Sequence, residues 1–213
     1  MKLKKPFVAA VSALGLMAGA AWAKDTVTYA TQLEPPHLDP TGGAAQAIDT
    51  VVYLNIFEGL TRFTPDGAVV PLLAKSWDIS EDGMTYTFTL QDGVTFHDGT
   101  AMTAEDVKFS LDRARAEDST NAQKSLFSTI ADVKATEPQT VVVTLSEPNG
   151  SLLFNLAWGD AVIVAQESVE TLKTAPVGTG PYRFNEWVQG DRVELVRNPN
   201  YWGEIPELTS ATI

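Results

Sequence analysis

The sequence has no cysteine, only two histidines and a shortage of basic residues. Without cysteine the chain can form no disulfide bond and offers no cysteine for lipid attachment. A zinc site needs three or four ligands from His, Cys, Asp and Glu, which this composition disfavours. With 15 Lys and Arg against 27 Asp and Glu, the formal net charge is −12. A surface this acidic repels phosphate backbones, so nucleic acid is excluded as a partner.

Long hydrophobic runs are also absent, apart from one short run near the N-terminus. Three lysines, at positions 2, 4 and 5, precede the apolar run 7–20, and Ala21-Trp22-Ala23 follows it. A spanning helix needs about 20 apolar residues, so this run is too short to be a membrane anchor. The order of the three parts predicts a signal peptide over residues 1–23, with a buried or interfacial helix as the alternative. We therefore expect an exported protein that is free in the periplasm and is not a lipoprotein.

The hydrophobic pattern after residue 23 predicts a mixed α+β chain with a real core, since 44% of the residues are hydrophobic. Helices are expected at 44–60, from Thr103 onward, and at 151–158. Asp-Gly turns after short alternating runs predict a meander that includes 77–79, 86–90 and 94–97. Further strands are expected at 24–31, 133–136, 140–145, 161–165, 182–187 and 192–197. No internal repeat is visible.

The stretch VTFHDGTAMTAEDV, residues 94–107, poses the question of whether this protein is an enzyme. It places His97 beside Asp98 and close to two more carboxylates. Neighbouring residues on a strand point to opposite faces, which separates His97 from Asp98 as metal ligands. The chain has no Gly-x-Ser-x-Gly motif for a hydrolase nucleophile. A strand, an Asp-Gly turn and a helix capped by Thr103 and Asp106 explain every polar residue here. We expect His97 on the solvent-facing or rim side, with a structural role.

The same region carries a family resemblance. Residues 74–112, AKSWDISEDGMTYTFTLQDGVTFHDGTAMTAEDVKFSLD, closely resemble the signature region of the family 5 extracellular solute-binding proteins, the peptide/nickel group of ATP-binding-cassette importers. The motifs LDP at 38–40, IFEGL at 56–60, VGTGPY at 177–182 and RNPNYW at 197–202 extend the likeness in the right order over residues 26–213. Gln91 departs from the lysine or arginine that is common in the family, which changes a surface charge.

This resemblance implies a periplasmic binding protein-like class II fold, of which the chain holds only the N-terminal portion, lobe one. A discontinuous and incomplete first domain would comprise residues 24–60 and 177–213. Residues 61–176 would form a small inserted α+β domain that carries the signature. The C-terminal lobe that closes over the ligand is absent from this sequence.

The resemblance further implies a binding protein, not an enzyme, that captures di- or oligopeptides and delivers them to an ABC permease in the inner membrane. No catalytic residue, metal or cofactor is expected. The implied ligand-facing residues, which could instead be a simple helix lead-in loop and a core tryptophan, are Gly42, Gly43, Ala44, Ala45, Gln46 and Trp158.

Other ligands remain open because the fold hosts several ligand classes: nickel, glutathione, opines and oligosaccharides. The alternatives in function are a non-binding truncated remnant or an interaction protein of chaperone type, and, with less support, a hydrolase or metal enzyme.

Overall fold

The computed structural model describes residues 25–213 and shows a mixed α+β chain built on two four-stranded sheets. The predicted signal peptide lies outside the described residues. The strands are β1 Thr26–Thr28, β2 Thr61–Phe63, β3 Val69–Pro71, β4 Ala74–Ile79, β5 Thr85–Leu90, β6 Ile130–Glu137, β7 Thr140–Leu145, β8 Tyr182–Val188, β9 Arg192–Arg197 and β10 Ser210–Thr212. The α-helices are α1 Gln46–Val52, α2 Ala104–Arg115 and α3 Leu152–Asn155, and 3-10 turns cover Lys124–Phe127, Gly159–Ala161 and Gln166–Thr171.

One sheet is antiparallel in the order β4-β5-β7-β6. Both β5 and β7 alternate strictly between buried apolar residues and threonines or half-buried neighbours, as a sheet with one covered face requires. Phe88 pairs with Val141 and Tyr86 with Val143, so the apolar faces of the two strands coincide. The predicted meander is therefore wrong in one respect, because β5 pairs with β7 and not with residues 94–97.

Helix α2 covers the buried face of this sheet. It begins after Thr103, whose backbone N–H donates to the Asp106 carboxylate at 2.8 Å, so the two residues form the predicted capping box. Val107, Leu111 and Ala114 are buried at helical spacing and join the core of the sheet. The structure thus confirms the predicted start of this helix and its predicted buried face.

The other sheet has the order β1-β10-β9-β8 and joins the two ends of the described chain. β1 runs parallel to β10, while β9 and β8 continue the sheet antiparallel. Its buried side packs on α1 and on the segment after it. Buried members of this second core are Leu38, Ile48, Val51, Val52, Ile56, Phe57, Val162, Val164, Leu172, Val193 and Leu195.

Three predicted elements differ in the structure. The helix expected at 44–60 ends at Val52, and Leu54 then adopts a positive φ of 60°. Residues 161–165 are buried but form no strand beyond a single bridge from Val162 to Gly59. Residues 94–97 likewise form only one bridge, from Thr95 to Ala101, before the Asp98-Gly99 turn. In each case the apolar spacing correctly predicted which residues are buried, but it did not predict their secondary structure.

A buried carboxylate ties three distant segments together. Glu58 is 1% exposed, and it accepts hydrogen bonds from the hydroxyl of Tyr201 at 2.7 Å, the hydroxyl of Thr179 at 2.8 Å and the indole nitrogen of Trp202 at 2.9 Å. Burial raises the pKa of Glu58, and the three donors oppose that rise. Because all three donors lie between residues 179 and 202, the network joins the segment after α1 to the segments before β8 and after β9.

His97 is structural, but its predicted position was wrong. Its ring is half-buried, and Nε2 lies 2.9 Å from the carbonyl of Gly180 while the N–H of Gly178 donates to Nδ1 at 3.3 Å. This pairing assigns the proton to Nε2. Burial lowers the pKa of His97 to about 4, so the ring is neutral at physiological pH. Instead of facing solvent, His97 holds the glycine-rich segment 177–180.

Candidate functional site

The loop that contains five of the predicted ligand-facing residues is anchored at its start. The Asp39 carboxylate accepts hydrogen bonds from the backbone N–H of Thr41 at 2.9 Å and from its hydroxyl at 2.6 Å. Arg113 of α2 forms an ion pair with the same carboxylate at 3.2 Å and also donates to the Thr41 hydroxyl. Because Asp39 is only 2% exposed, this cluster fixes the loop to the body of the protein.

Beyond that anchor the loop presents unpaired backbone donors. Ala44 is exposed and Gly43 and Ala45 are half-buried. Within residues 25–213, the N–H groups of Gly43, Ala44 and Ala45 donate no hydrogen bond. Gly42 is different, since its N–H donates to the Asp39 carbonyl at 3.3 Å. Gln46 begins α1 and is exposed. The loop can therefore offer N–H groups to a bound molecule.

Trp158, the sixth predicted residue, is not a core residue, so that alternative is wrong. It is 40% exposed and belongs to an aromatic cluster on the surface. Its ring meets Phe63 edge-on at a centroid distance of 6.0 Å and Phe154 at 6.1 Å, and those two rings lie 4.9 Å apart. Edge-to-face contacts of this kind hold the indole in place and leave part of it open to solvent.

The structure brings α1 against the segment that carries Trp158. The Asp49 carboxylate packs on Gly159, where a Cβ would lie only 2.6 Å from its Oδ1, so a larger residue would displace this carboxylate. The Tyr53 hydroxyl donates to the carbonyl of Ala157. These contacts place α1 against residues 157–159, which adjoin Trp158.

Two acidic residues at this junction, Asp49 and Asp160, are not among the six predicted ligand-facing residues. Asp160 is 8% exposed, and its backbone carbonyl accepts a hydrogen bond from Asn121 at 2.8 Å. Burial, with a smaller contribution from the charge of Asp49, raises the pKa of Asp160 to about 6. Burial also raises the pKa of Asp49. No motif marks either residue, and the only available signal was Asp160 itself, an acidic residue inside an apolar run.

The described residues contain no cluster of three or more His, Asp or Glu placed to hold a metal ion. Over the same part of the chain, no helix has the length and apolarity needed to cross a membrane. The site is therefore a surface with backbone donors, an anchored aromatic cluster and two carboxylates. Arrangements of this kind bind small molecules through positioned polar groups beside apolar surface.

Comparison with known proteins identifies the class. Residues 68–213 match the family model described as bacterial extracellular solute-binding proteins, family 5 Middle. The glutathione-binding protein GsiB of Pectobacterium atrosepticum is 36% identical over 210 residues, which cover 96% of this chain and 41% of that protein. GsiB of Escherichia coli K12 is 33% identical over 205 residues, with coverages of 94% and 40%.

Solved structures agree with the sequence matches. NikZ from Campylobacter jejuni in complex with Ni(L-His) has a TM-score of 0.81 and 30% identity, covering 90% of this chain and 39% of NikZ. The periplasmic binding protein AgaA in complex with agropinic acid has a TM-score of 0.82 and 31% identity, covering 88% of this chain and 39% of AgaA. DppA from Helicobacter pylori in complex with the peptide STSA has a TM-score of 0.80 and 27% identity, covering 88% of this chain and 42% of DppA.

The fold is that of the family 5 periplasmic binding proteins, as the resemblance implied. The chain belongs to the bacterial extracellular solute-binding proteins of family 5. It spans about 40% of the length of the curated relatives it matches. The relatives reported above are solute-binding proteins.

Proposed function

We propose that this chain is part of a periplasmic substrate-binding protein that captures peptides for an ABC importer. One observation carries the peptide assignment: three consecutive N–H groups, those of Gly43, Ala44 and Ala45, donate no hydrogen bond within residues 25–213. An extended peptide offers a row of carbonyl groups that such donors bind, as in strand addition. The peptide STSA in DppA and glutathione in GsiB, itself a peptide, support this choice over nickel or an opine.

The proposal includes export and delivery. The lysines at 2, 4 and 5, the apolar run and the Ala21-Trp22-Ala23 site support a cleaved signal peptide, and the absence of cysteine supports a protein without a lipid anchor. An ABC permease in the inner membrane is the partner that would accept the solute. No cofactor has a role in this mechanism.

We also propose the domain division of the resemblance, with residues 24–60 and 177–213 in one domain and 61–176 in another. The segment 175–180 would then be a crossing between them. Ligand capture would shift an equilibrium between open and closed forms about that crossing, since a ligand favours the form in which it makes more contacts.

The test removes one backbone donor without disturbing the loop. Ala45 has φ −80°, which proline can adopt, so Ala45→Pro deletes the N–H while keeping the backbone. Ala45→Ser keeps the N–H and is the matched control. The protein is purified at the length at which the cell makes it, and calorimetry measures its affinity for a peptide selected from a library by thermal shift.

We expect Ala45→Pro to weaken peptide binding by about tenfold, the equivalent of one hydrogen bond, and Ala45→Ser to change it by less than about threefold. If both variants bind as the wild type does, the loop does not hold the peptide. If the thermal shift responds to nickel–histidine or agropinic acid and to no peptide, the peptide assignment itself is wrong.

A further inference from the structure

Arg183 carries a positive charge that has no partner in the described part of the chain. It lies on β8, the last strand in the order β1-β10-β9-β8, opposite Val196 of β9. Within residues 25–213 the guanidinium forms no ion pair, and its Nε is shielded from solvent without any hydrogen-bond acceptor. A shielded donor without an acceptor is costly. Arg183 therefore lacks an acceptor that a bound group could supply.

This state is unusual among the arginines of the chain. Three of them form ion pairs with carboxylates and a fourth donates to two backbone carbonyls: Arg113, Arg115, Arg192 and Arg197. Arg62 also forms no ion pair within residues 25–213, but its charge acts on the buried carboxylate of Glu58. Acidic residues outnumber basic ones by 27 to 15, so carboxylates are plentiful. Arg183 is left without one despite this excess.

A cavity of about 360 Å³ adjoins the guanidinium. Its lining comes from β8, from the turn at 98–99 and from the segment 175–177. Arg183 and the exposed amide of Asn185 supply donors from β8, while the rest of the lining is largely apolar. A volume of this size, with a few polar groups on apolar walls, is typical of sites for small molecules.

The other two titratable side chains at this cavity do not neutralise Arg183. Both ring nitrogens of His97 are engaged by the segment 177–180. Burial lowers the pKa of His97, and the positive charge of Arg183 contributes to that lowering. Asp98 is exposed, and its Oδ1 accepts from the N–H of Thr100 at 2.9 Å and from the Thr100 hydroxyl at 2.7 Å. The positive charge at the cavity is thus left uncompensated.

We propose that Arg183 and this cavity form a binding site for a small oxyanion, the carboxylate or phosphate group of a small molecule. The edge of a guanidinium that carries Nε and one Nη binds two oxygens of such a group through parallel hydrogen bonds. No hydrogen bond within residues 25–213 holds the guanidinium, so it can turn this edge to the cavity. Neither the loop at 42–46 nor Trp158 lines the cavity, so the site goes beyond the proposed function.

Titration with two simple anions tests the site. Inorganic phosphate and acetate are the probes, because they distinguish the two sources of an oxyanion. NMR follows the Nε–H signal of Arg183 and the side-chain amide of Asn185 in the protein as the cell makes it, at constant ionic strength set with sodium chloride. The loss of one signal in Arg183→Gln assigns the Nε–H. The other variants are Arg183→Lys, Asp98→Asn and the control Arg62→Gln, which removes the same charge from another half-buried and unpaired arginine.

We expect both signals of the wild type to move together with a Kd on the order of 1 mM for at least one probe. Arg183→Gln should weaken binding by about tenfold or more, and Arg183→Lys by about threefold, because the ammonium keeps the charge but not the paired donors. Asp98→Asn should tighten binding by about threefold, since it removes a like charge from the cavity. Arg62→Gln should change it by less than about twofold.

The probes also separate the outcomes. A response to acetate alone identifies a carboxylate site and a response to phosphate alone a phosphate site, and either supports the inference. The inference is wrong if neither probe moves the Arg183 signal at up to about 50 mM. It is also wrong if Arg62→Gln weakens the response as much as Arg183→Gln does. If Asp98→Asn lowers the melting temperature and leaves the affinity unchanged, Asp98 is itself the missing acceptor and the site fails. None of these results bears on peptide binding, which is measured separately.

Discussion

Replacing Asp160 by asparagine should stabilise the protein, because burial disfavours the charged form of the wild-type carboxylate and raises its pKa. Its pKa is raised from 3.8 to about 6, so at pH 7.5 the folded state holds an unfavourable charge that the unfolded state solvates. Each pKa unit corresponds to about 1.4 kcal/mol, so this shift corresponds to at most about 3 kcal/mol, and screening by the water that reaches the carboxylate reduces this to about 2 kcal/mol. The asparagine amide loses water on burial and offsets about 1 kcal/mol of the gain. We expect a net gain of about 1 kcal/mol in the free energy of unfolding at pH 7.5.

The sign of the pH dependence separates this explanation from a packing effect. A carboxyl group with a raised pKa binds its proton more readily in the folded state, so the wild type gains stability as the pH falls through 6 towards 4. The advantage of Asp160→Asn should therefore shrink over the same range. Urea unfolding of both proteins at pH 7.5, 6 and 4.5, with Asp118→Asn, at an exposed carboxylate, as the control, measures this. A variant less stable than the wild type at pH 7.5, or a difference that does not change with pH, would refute the reasoning.

Three further substitutions test the fold that supports the site. The wild type should lose stability between pH 6.5 and 4.5, because His97 takes up a proton there in the unfolded state but not in the folded state, where its pKa is about 4. His97→Gln has no such group, so urea unfolding should show it losing less stability over this range, by on the order of 2 kcal/mol. Gly178→Ala should lower the melting temperature by about 10 °C or more, because a Cβ would lie 2.0 Å from the carbonyl oxygen of Ile56, whereas Gly150→Ala has open space and should change it little. Glu58→Ala should cost about 3 kcal/mol or more, because it leaves one buried and two half-buried donors without their acceptor, and equal stability to the wild type in denaturant titration would contradict that role.

Regular elements could be predicted from the sequence because their signals are local. Strand β5 shows strict alternation, and β7 pairs its own alternating face against it. Helix α2 carries its start in the sequence as Thr103 and Asp106 and its buried face as Val107 and Leu111. Neighbouring side chains alone determine these features, so a single sequence contains them.

Irregular buried segments could not be predicted, because backbone groups far along the chain define them. The carbonyl of Ile56 accepts from the N–H of Gly180, and the carbonyl of Glu58 accepts from Ile163, so residues 53–60 are drawn out of the helix that their spacing favoured. The same long-range pairing holds His97, whose N–H donates to the carbonyl of Gly178. Apolar spacing predicted that these segments are buried, but it does not specify which distant backbone satisfies them.

The candidate site likewise combines features that the sequence could indicate with features that depend on distant residues. Loop residues 42–46 could be proposed from the family resemblance, and the free N–H groups of Gly43, Ala44 and Ala45 became visible only in the structure. Asp49 and Asp160 lie far apart in sequence and meet only because α1 packs on residues 157–160. A pair of this kind has no spacing rule, so the sequence could not indicate it.

The motifs that reveal the family mostly build the scaffold, and this explains why they predict the fold better than the ligand. IFEGL supplies Glu58, VGTGPY supplies Thr179, and RNPNYW supplies Tyr201 and Trp202, and these four residues form one buried network. A network of this kind must be kept whole whatever solute is carried. The residues proposed to contact the solute lie outside those motifs, on the loop at 42–46. Family members can therefore share the scaffold while binding glutathione, a peptide or a nickel complex, as the relatives' names state. The preference of this chain for one ligand must consequently be sought in residues outside the shared motifs.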